Sequence, residues 1–247
     1  MKKLLIFTFT VFSINLFGQE VINTDKDQIK IHPIIHGTFA LEYGDLTIYI
    51  DPYGGADGFK ALKDADLILI TDIHGDHLNL ETLKALNTTN SHFIVPEAVS
   101  KQMQGIDYAG IETLNNDEST SFKGINILAL PMYNLPESED SRHPKGRGNG
   151  YILNIGGKTI YISGDTEDIP EMRALKNIDV AFVCMNLPYT MSVEQASDAV
   201  LEFKPSIVYP FHFRGQGGLA DVEKFKSLVN KENKQIEVKL RDWYPEN

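Results

Sequence analysis

The chain has 247 residues, 42% hydrophobic and 10% aromatic, with 34 acidic against 23 basic side chains and a formal net charge of −11. That is enough apolar material for one sizeable core, and it argues against a disordered chain. The negative balance repels polyphosphate backbones, so nucleic acid is not an expected partner. The one cysteine, Cys184, excludes an internal disulfide framework and a zinc ribbon, and its apolar surroundings read as buried strand.

Met1 to Gly18 has the form of a secretory signal: Lys2 and Lys3, an apolar core from Leu4 to Phe17, then small Gly18. The apolar run is shorter than the roughly 20 residues that a membrane span requires, so no stable anchor is expected. Export to the periplasm or medium follows, leaving 19–247 as a single domain with a charge near −13.

Short strands are expected at Ile29–Ile35, Thr38–Tyr43 and Leu46–Ile50, with Gly44-Asp45 as a hairpin turn. A short helix around Phe59–Lys63 precedes the apolar run Asp66–Ile70, which has the length and β-branching of a buried strand. Helix Leu80–Leu86, strand Phe93–Val95 and helix Pro96–Met103 follow, then strands at 111–114, 120–122 and 125–130. Met132 to Gly150 shows no periodicity and reads as a long functional loop. Strands Tyr151–Ile155 and Thr159–Ser163 flank the Gly156-Gly157 turn. Beyond them helices are expected at 167–175, 193–203 and 219–229, and strands at 180–185, 207–209 and 236–240. Each half opens with a hairpin and continues into αβ units, which suits two sheets packed face to face with helices outside.

The chemistry concentrates in Thr71-Asp72-Ile73-His74-Gly75-Asp76-His77, where four potential metal ligands fall within six residues at the end of a buried strand. In extended chain, positions 72 and 74 project to one side. Gly75 permits the turn that brings Asp76 and His77 round to the same point. Two other expected strands also end in residues of ligand type, Asp165 after Gly164 and His212 after Phe211. His36 reads as a core histidine, with a place behind the metal ligands as the alternative, and His32 and His92 as structural or surface residues.

The set Asp72-x-His74-x-Asp76-His77, then Gly164-Asp165-Thr166, then Pro210-Phe211-His212 resembles the metallo-β-lactamase superfamily, whose signature is His-x-His-x-Asp-His, a later Gly-Asp and a terminal His. The likeness runs from about His36 to His212. It is nearest the branch of L-ascorbate-6-phosphate lactonases and related metal-dependent hydrolases. The resemblance implies an α/β fold, a four-layer αββα sandwich of two mixed sheets with outer helices. It also implies two metal sites. His74 and Asp72 would serve the first; Asp76, His77 and His212 would serve the second; Asp165 would bridge them. The chain departs from the pattern twice. Asp72 stands where the family has histidine, and the third-region histidine is missing near Asn134. Asn134 or His143 would have to complete the first site. Zinc is the expected ion, one or two per chain, although an oxygen-richer site also suits manganese or iron(II).

The reaction expected is hydrolysis of a small lactone, ester or amide by hydroxide on the metal, with Asp76 orienting the nucleophile, since a metal lowers the pKa of water from about 15.7 to near 7. Arg142, Lys145 and Arg147 place three cations in the long loop and, with Tyr133, form a candidate grip for an anionic small-molecule substrate. That grip also raises phosphodiester hydrolysis as an alternative. The two departures raise another, a non-catalytic binding protein on a degenerate scaffold. β-Lactamase activity is disfavoured by the depleted histidines of the first site.

Overall fold

A computed structural model describes residues 20–245. The segment read as an export signal, Met1–Gly18, lies outside them. Sixteen strands and five α-helices make two seven-stranded sheets, a small two-stranded ribbon and the helices that cover them.

The first sheet takes its strands in chain order: β1 (Glu20–Asn23), β2 (Gln28–Ile35), β3 (Thr38–Tyr43), β4 (Leu46–Ile50), β5 (Leu67–Leu69), β6 (His92–Val95) and β7 (Gly110–Thr113). The first three pairings are antiparallel and the last three parallel. The second sheet repeats that plan, with β8 (Ser119–Phe122), β9 (Ile125–Met132), β10 (Gly148–Ile155) and β11 (Lys158–Ile162) antiparallel. It continues in parallel through β12 (Val180–Cys184), β13 (Ile207–Phe211) and β16 (Glu237–Val238). β14 (Arg214–Gly215) and β15 (Gly218–Leu219) form the ribbon directly after β13.

Alternation along β5 shows how the layers arise. Leu67 and Leu69 point into the core between the sheets, while Ile68 and Ile70 point outward to a second cluster with Leu83 of α1 (Leu80–Ala85) and Val99 of α2 (Glu97–Ser100). Across the gap, Phe39 of β3 stacks on Phe182 of β12 with centroids 4.2 Å apart. α3 (Pro170–Arg173), α4 (Val193–Phe203) and α5 (Val222–Glu232) cover the other sheet. α4 starts at a capping box between Ser192 and Gln195, and buries Val193, Ala196, Val200 and Phe203 along one stripe. The expected αββα sandwich of two mixed sheets is the observed fold.

Several boundaries differ from expectation. The short helix expected around Phe59–Lys63 is a 3-10 turn at Ala56–Phe59, and the helix expected over 167–175 shrinks to α3, whose first turn Pro170 presets. The long loop ends three residues early, because Gly148, Asn149 and Gly150 already pair with Met132, Pro131 and Leu130. No helix among the described residues is long and apolar enough to cross a membrane.

Candidate metal centre

The ends of parallel and hairpin strands converge on one edge of the sandwich. His36 follows β2, Asp51 follows β4, Asp72 to His77 follow β5, Asp165 follows β11, Asn186 follows β12 and His212 follows β13. Three of these residues, His36 (φ 57°), Asp51 (φ 45°) and His212 (φ 48°), adopt the left-handed backbone that L-residues avoid. Such strain, of order 1 kcal/mol or more each, persists where surrounding structure fixes a functional side chain. Here His212 N–H donates to the carbonyl of His36, and His36 N–H donates to that of Trp243, which binds the two strained turns together.

The ligand-type atoms fall into overlapping groups. His77, Asp165 and His212 form one, His36, Asp76 and His212 another, and Asp72, His74 and His143 a third. The Nε2 atoms of His77 and His212 lie 3.2 Å apart. Asp165 lies between them, its Oδ2 3.3 Å from His77 Nε2 and its Oδ1 3.4 Å from His212 Nε2. The same Oδ2 is 3.2 Å from His143 Nε2, so this one carboxylate touches both halves. Asp76 Oδ2 sits 3.4 Å from His212 Nε2, and its side chain, 32% exposed, is the most open of the set, with His74 next at 24%.

Supporting residues fix the imidazoles from behind. Asp51 Oδ2 accepts from His77 Nδ1 at 2.8 Å and from the Thr71 hydroxyl at 2.6 Å, while Thr71 N–H donates to its Oδ1. That leaves the Nε2 lone pair of His77 pointing into the centre. The Asn186 side-chain nitrogen lies 2.8 Å from His212 Nδ1 and holds that ring in place. Asn134 is the partner of His143, its Oδ1 accepting from the His143 backbone at 2.9 Å and lying 3.1 Å from Nδ1. Asn134 is therefore not in the ligand groups; it holds His143, the residue that the geometry brings into the first half.

Charge follows this geometry. Burial alone would raise the pKa of Asp165, but His212, His77 and His143 around it hold it well below the usual carboxylate range. Burial likewise opposes a cation at His77, yet Asp165 and Asp51 raise its pKa well above 6.5. Asp76 is lowered by His212 and His36 against the cost of its own burial. In the metal-free protein these carboxylates and imidazoles offset one another's charge, and a bound ion would take over as the positive partner in place of the imidazole proton.

An unpaired buried polar atom tests whether an ion fits. Among the described residues, five buried side-chain N or O atoms have no hydrogen-bond partner, and three of them are His74 Nδ1, His143 Nε2 and Asp165 Oδ1. His74 Nδ1 lies 2.7 Å from Asp72 Oδ2 without forming a hydrogen bond. Buried unpaired polar atoms each cost about 1–3 kcal/mol; a cation among Asp72, His74 and His143 would satisfy the two imidazole nitrogens, and one among His77, Asp165 and His212 the carboxylate oxygen. The nitrogen and oxygen donors suit a divalent ion of the zinc, iron or manganese type.

Two expectations change. His36, read first as a core histidine, places Nε2 3.2 Å from Asp76 Oδ2, lies tilted against His212 with ring centroids 3.8 Å apart and meets Tyr244 Oη with Nδ1 at 2.6 Å. Asp51 carried no sequence signal beyond its place at a strand end. The loop cations are engaged elsewhere. Arg147 grips Asp72 through Nε at 3.0 Å and Nη2 at 2.9 Å, and Lys145 Nζ donates to Glu171 at 2.7 Å. Tyr133 donates to the same Glu171, and Arg142 lies over the Tyr189 ring at 4.4 Å. His32 pairs with Glu42 and His92 stacks on Phe122, both away from the centre.

The model of the β-lactamase superfamily domain matches residues 30–212. A UPF0173 metal-dependent hydrolase of Pyrococcus horikoshii is 31% identical over 212 residues, covering 81% of this chain and 92% of that protein. Among solved structures, a candidate metal-dependent hydrolase from Parabacteroides distasonis aligns at 35% identity and TM-score 0.80, over 92% of this chain and 99% of that one. A metallo hydrolase from Ignicoccus hospitalis shares the fold at TM-score 0.71 and 24% identity, over 86% and 94% of the two chains. The chain thus belongs to the metallo-β-lactamase superfamily, as one of its metal-dependent hydrolases.

Proposed function

We propose that this hydrolase acts on a small lactone, ester or amide, at a centre of two divalent ions. His77, His212 and Asp76 would hold one ion, His74, His143 and Asp72 the other, and Asp165 would bridge. The observation that carries the reading is the exposure pattern: among these ligands Asp76 opens onto a cavity of about 210 Å³, a size that suits a small molecule. A divalent ion bound here polarises a carbonyl and lowers the pKa of water toward 7. Zinc is the first candidate, and the oxygen of Asp72 also admits manganese or iron(II).

The chain's own residues supply orientation. Asp76, steadied by His36, accepts a hydrogen bond from the attacking water and aims its lone pair at the carbonyl carbon. Asp51, accepting from His77 Nδ1, directs the Nε2 of His77 inward, and Asn186 holds the His212 ring in place. The carbon–oxygen or carbon–nitrogen bond of the substrate breaks as the water oxygen joins the carbon, and the water's proton passes to the leaving atom. A phosphodiesterase reading drew on the loop cations, and the pairing of Lys145 and Arg147 with carboxylates removes that support. The apolar start of the chain supports an exported form beginning after Gly18, checked by mass spectrometry of the mature N-terminus.

The test is a panel of lactones, esters, amides and phosphodiesters with metal-loaded protein. Turnover of an acyl compound that chelation removes, and that Asp76→Ala lowers by about 10³-fold or more, is expected. Undiminished turnover in Asp76→Ala sinks the assignment.

A further inference from the structure

An anionic substrate needs a cation that no carboxylate of the protein already holds. Arg147 and Lys145 fail that condition, and Arg142, stacked on Tyr189, does not line the cavity onto which Asp76 opens. Arg214 meets it. It stands two residues after His212, is exposed and enters no ion pair among the described residues.

Its position is fixed nonetheless. The guanidinium carbon lies 4.3 Å from the centroid of the Tyr244 ring, and the Arg214 N–H donates to Tyr244 Oη at 2.9 Å. That hydroxyl meets His36 Nδ1, and His36 Nε2 meets Asp76 Oδ2. Arg214 is thus tied to the open carboxylate of the metal centre through two hydrogen-bonded side chains. Both line the same cavity, with Ile35, His36, Tyr53 and Tyr244. A guanidinium stacked on an aromatic face keeps its edge N–H donors free, in the planar fork that matches a carboxylate. Asp76 does not capture it, being held by His36 and His212.

We propose that Arg214 and Tyr244 form an anion subsite in this cavity, and that the substrate carries a carboxylate remote from the bond that is cleaved. One cation in a small cavity matches a monoanion better than a phosphate of double charge. The inference rests on the reading above that the centre attacks a small acyl compound, and it gives that compound its class.

The experiment measures binding, so that it does not depend on turnover. Two metal-chelating probes of equal length are compared by calorimetry on metal-loaded protein, 3-carboxypropanohydroxamate and neutral butanohydroxamate. The wild type should bind the carboxylated probe about tenfold more tightly or better, the size of a charge-assisted hydrogen bond. Arg214→Met should reduce that preference to about twofold or less while leaving butanohydroxamate affinity unchanged, which also shows that the fold and metal persist. Arg214→Lys should recover part of it, keeping charge without the fork. Equal binding of both probes by the wild type, or a preference that survives Arg214→Met, overturns the subsite. An Arg214-dependent preference in a protein that hydrolyses no acyl compound leaves the subsite standing and removes the acyl reading instead.

Discussion

The two halves of the centre are built differently. Around His77 and His212 every ligand is backed by the body of the sandwich: Asp51 at the end of β4, Asn186 at the end of β12, His36 and Tyr244 behind Asp76. Around Asp72 and His74 the third ligand-type residue, His143, comes from the long loop between β9 and β10, and Asp72 already carries the guanidinium of Arg147. One half is fixed by strand ends, whose positions the whole core determines. The other depends on one loop and on a carboxylate with a competing partner. A protein can thereby hold one ion tightly while making the second responsive to its surroundings, because supporting residues set metal affinity nearly as much as ligands do.

Asp165 is where this contrast can be broken most forcefully, since it touches His77, His212 and His143. Asp165→Ala should empty both halves and lower kcat/KM by at least about 10³-fold, roughly 4 kcal/mol of barrier. His143→Ala should remove only the loop-supported ion, so that elemental analysis falls from two ions per chain toward one. If His143→Ala instead releases both ions, the halves are not separable and the contrast is wrong.

The same contrast explains what the sequence disclosed. Asp72 to His77, Asp165 and His212 are legible because each ends an apolar run, and the length and β-branching of such runs announce buried strands without any tertiary information. His36 is misread because its role depends on contacts with Asp76 and Tyr244, which lie 40 and 208 residues away in the chain. Asp51 is silent for the same reason, with Thr71 and His77 20 and 26 residues away. The cations of the loop look available in sequence, yet Lys145 and Arg147 find Glu171 and Asp72 only once β9 and β10 pair. Even the choice between Asn134 and His143 is tertiary. Asn134 has the right place in the chain, but its amide turns to His143 and Tyr189.

The strand-end half should be sensitive to steric change that leaves the fold alone. Gly37 follows the strained His36, and a Cβ there would lie 2.6 Å from His212 Cδ2. The His212 ring cannot give way easily, because His36 lies tilted against it at 3.8 Å and His77 stacks on it at 4.9 Å. Gly37→Ala should therefore weaken the ion at His77 and His212 by about 10–100-fold, read by competition with a chromophoric chelator, while thermal unfolding of the metal-free protein shifts little. An unchanged affinity would mean that the ring has more freedom than its neighbours suggest.

The loop-supported half turns on Asp72 and Arg147. Burial works against the Asp72 carboxylate, but His74, His77 and Arg147 bring its pKa down to about 2. A carboxyl lowered from 3.8 in this way stabilises the metal-free fold above pH 4 and loses that contribution as pH falls through 2, on the order of 2 kcal/mol in all. Arg147→Met should destabilise the chelator-treated protein at pH 7, and the gap from wild type in urea unfolding should narrow between pH 4 and pH 2. In the loaded protein a divalent ion takes over as counter-charge to Asp72, so the substitution costs less there than in the metal-free state. By linkage the ion beside His74 and His143 should then bind several-fold to about tenfold more tightly in Arg147→Met. Weaker binding would give Arg147 the opposite role, that of a clamp aiming Asp72 at the metal, and the loop-supported half would owe its geometry to the very cation that competes for its charge.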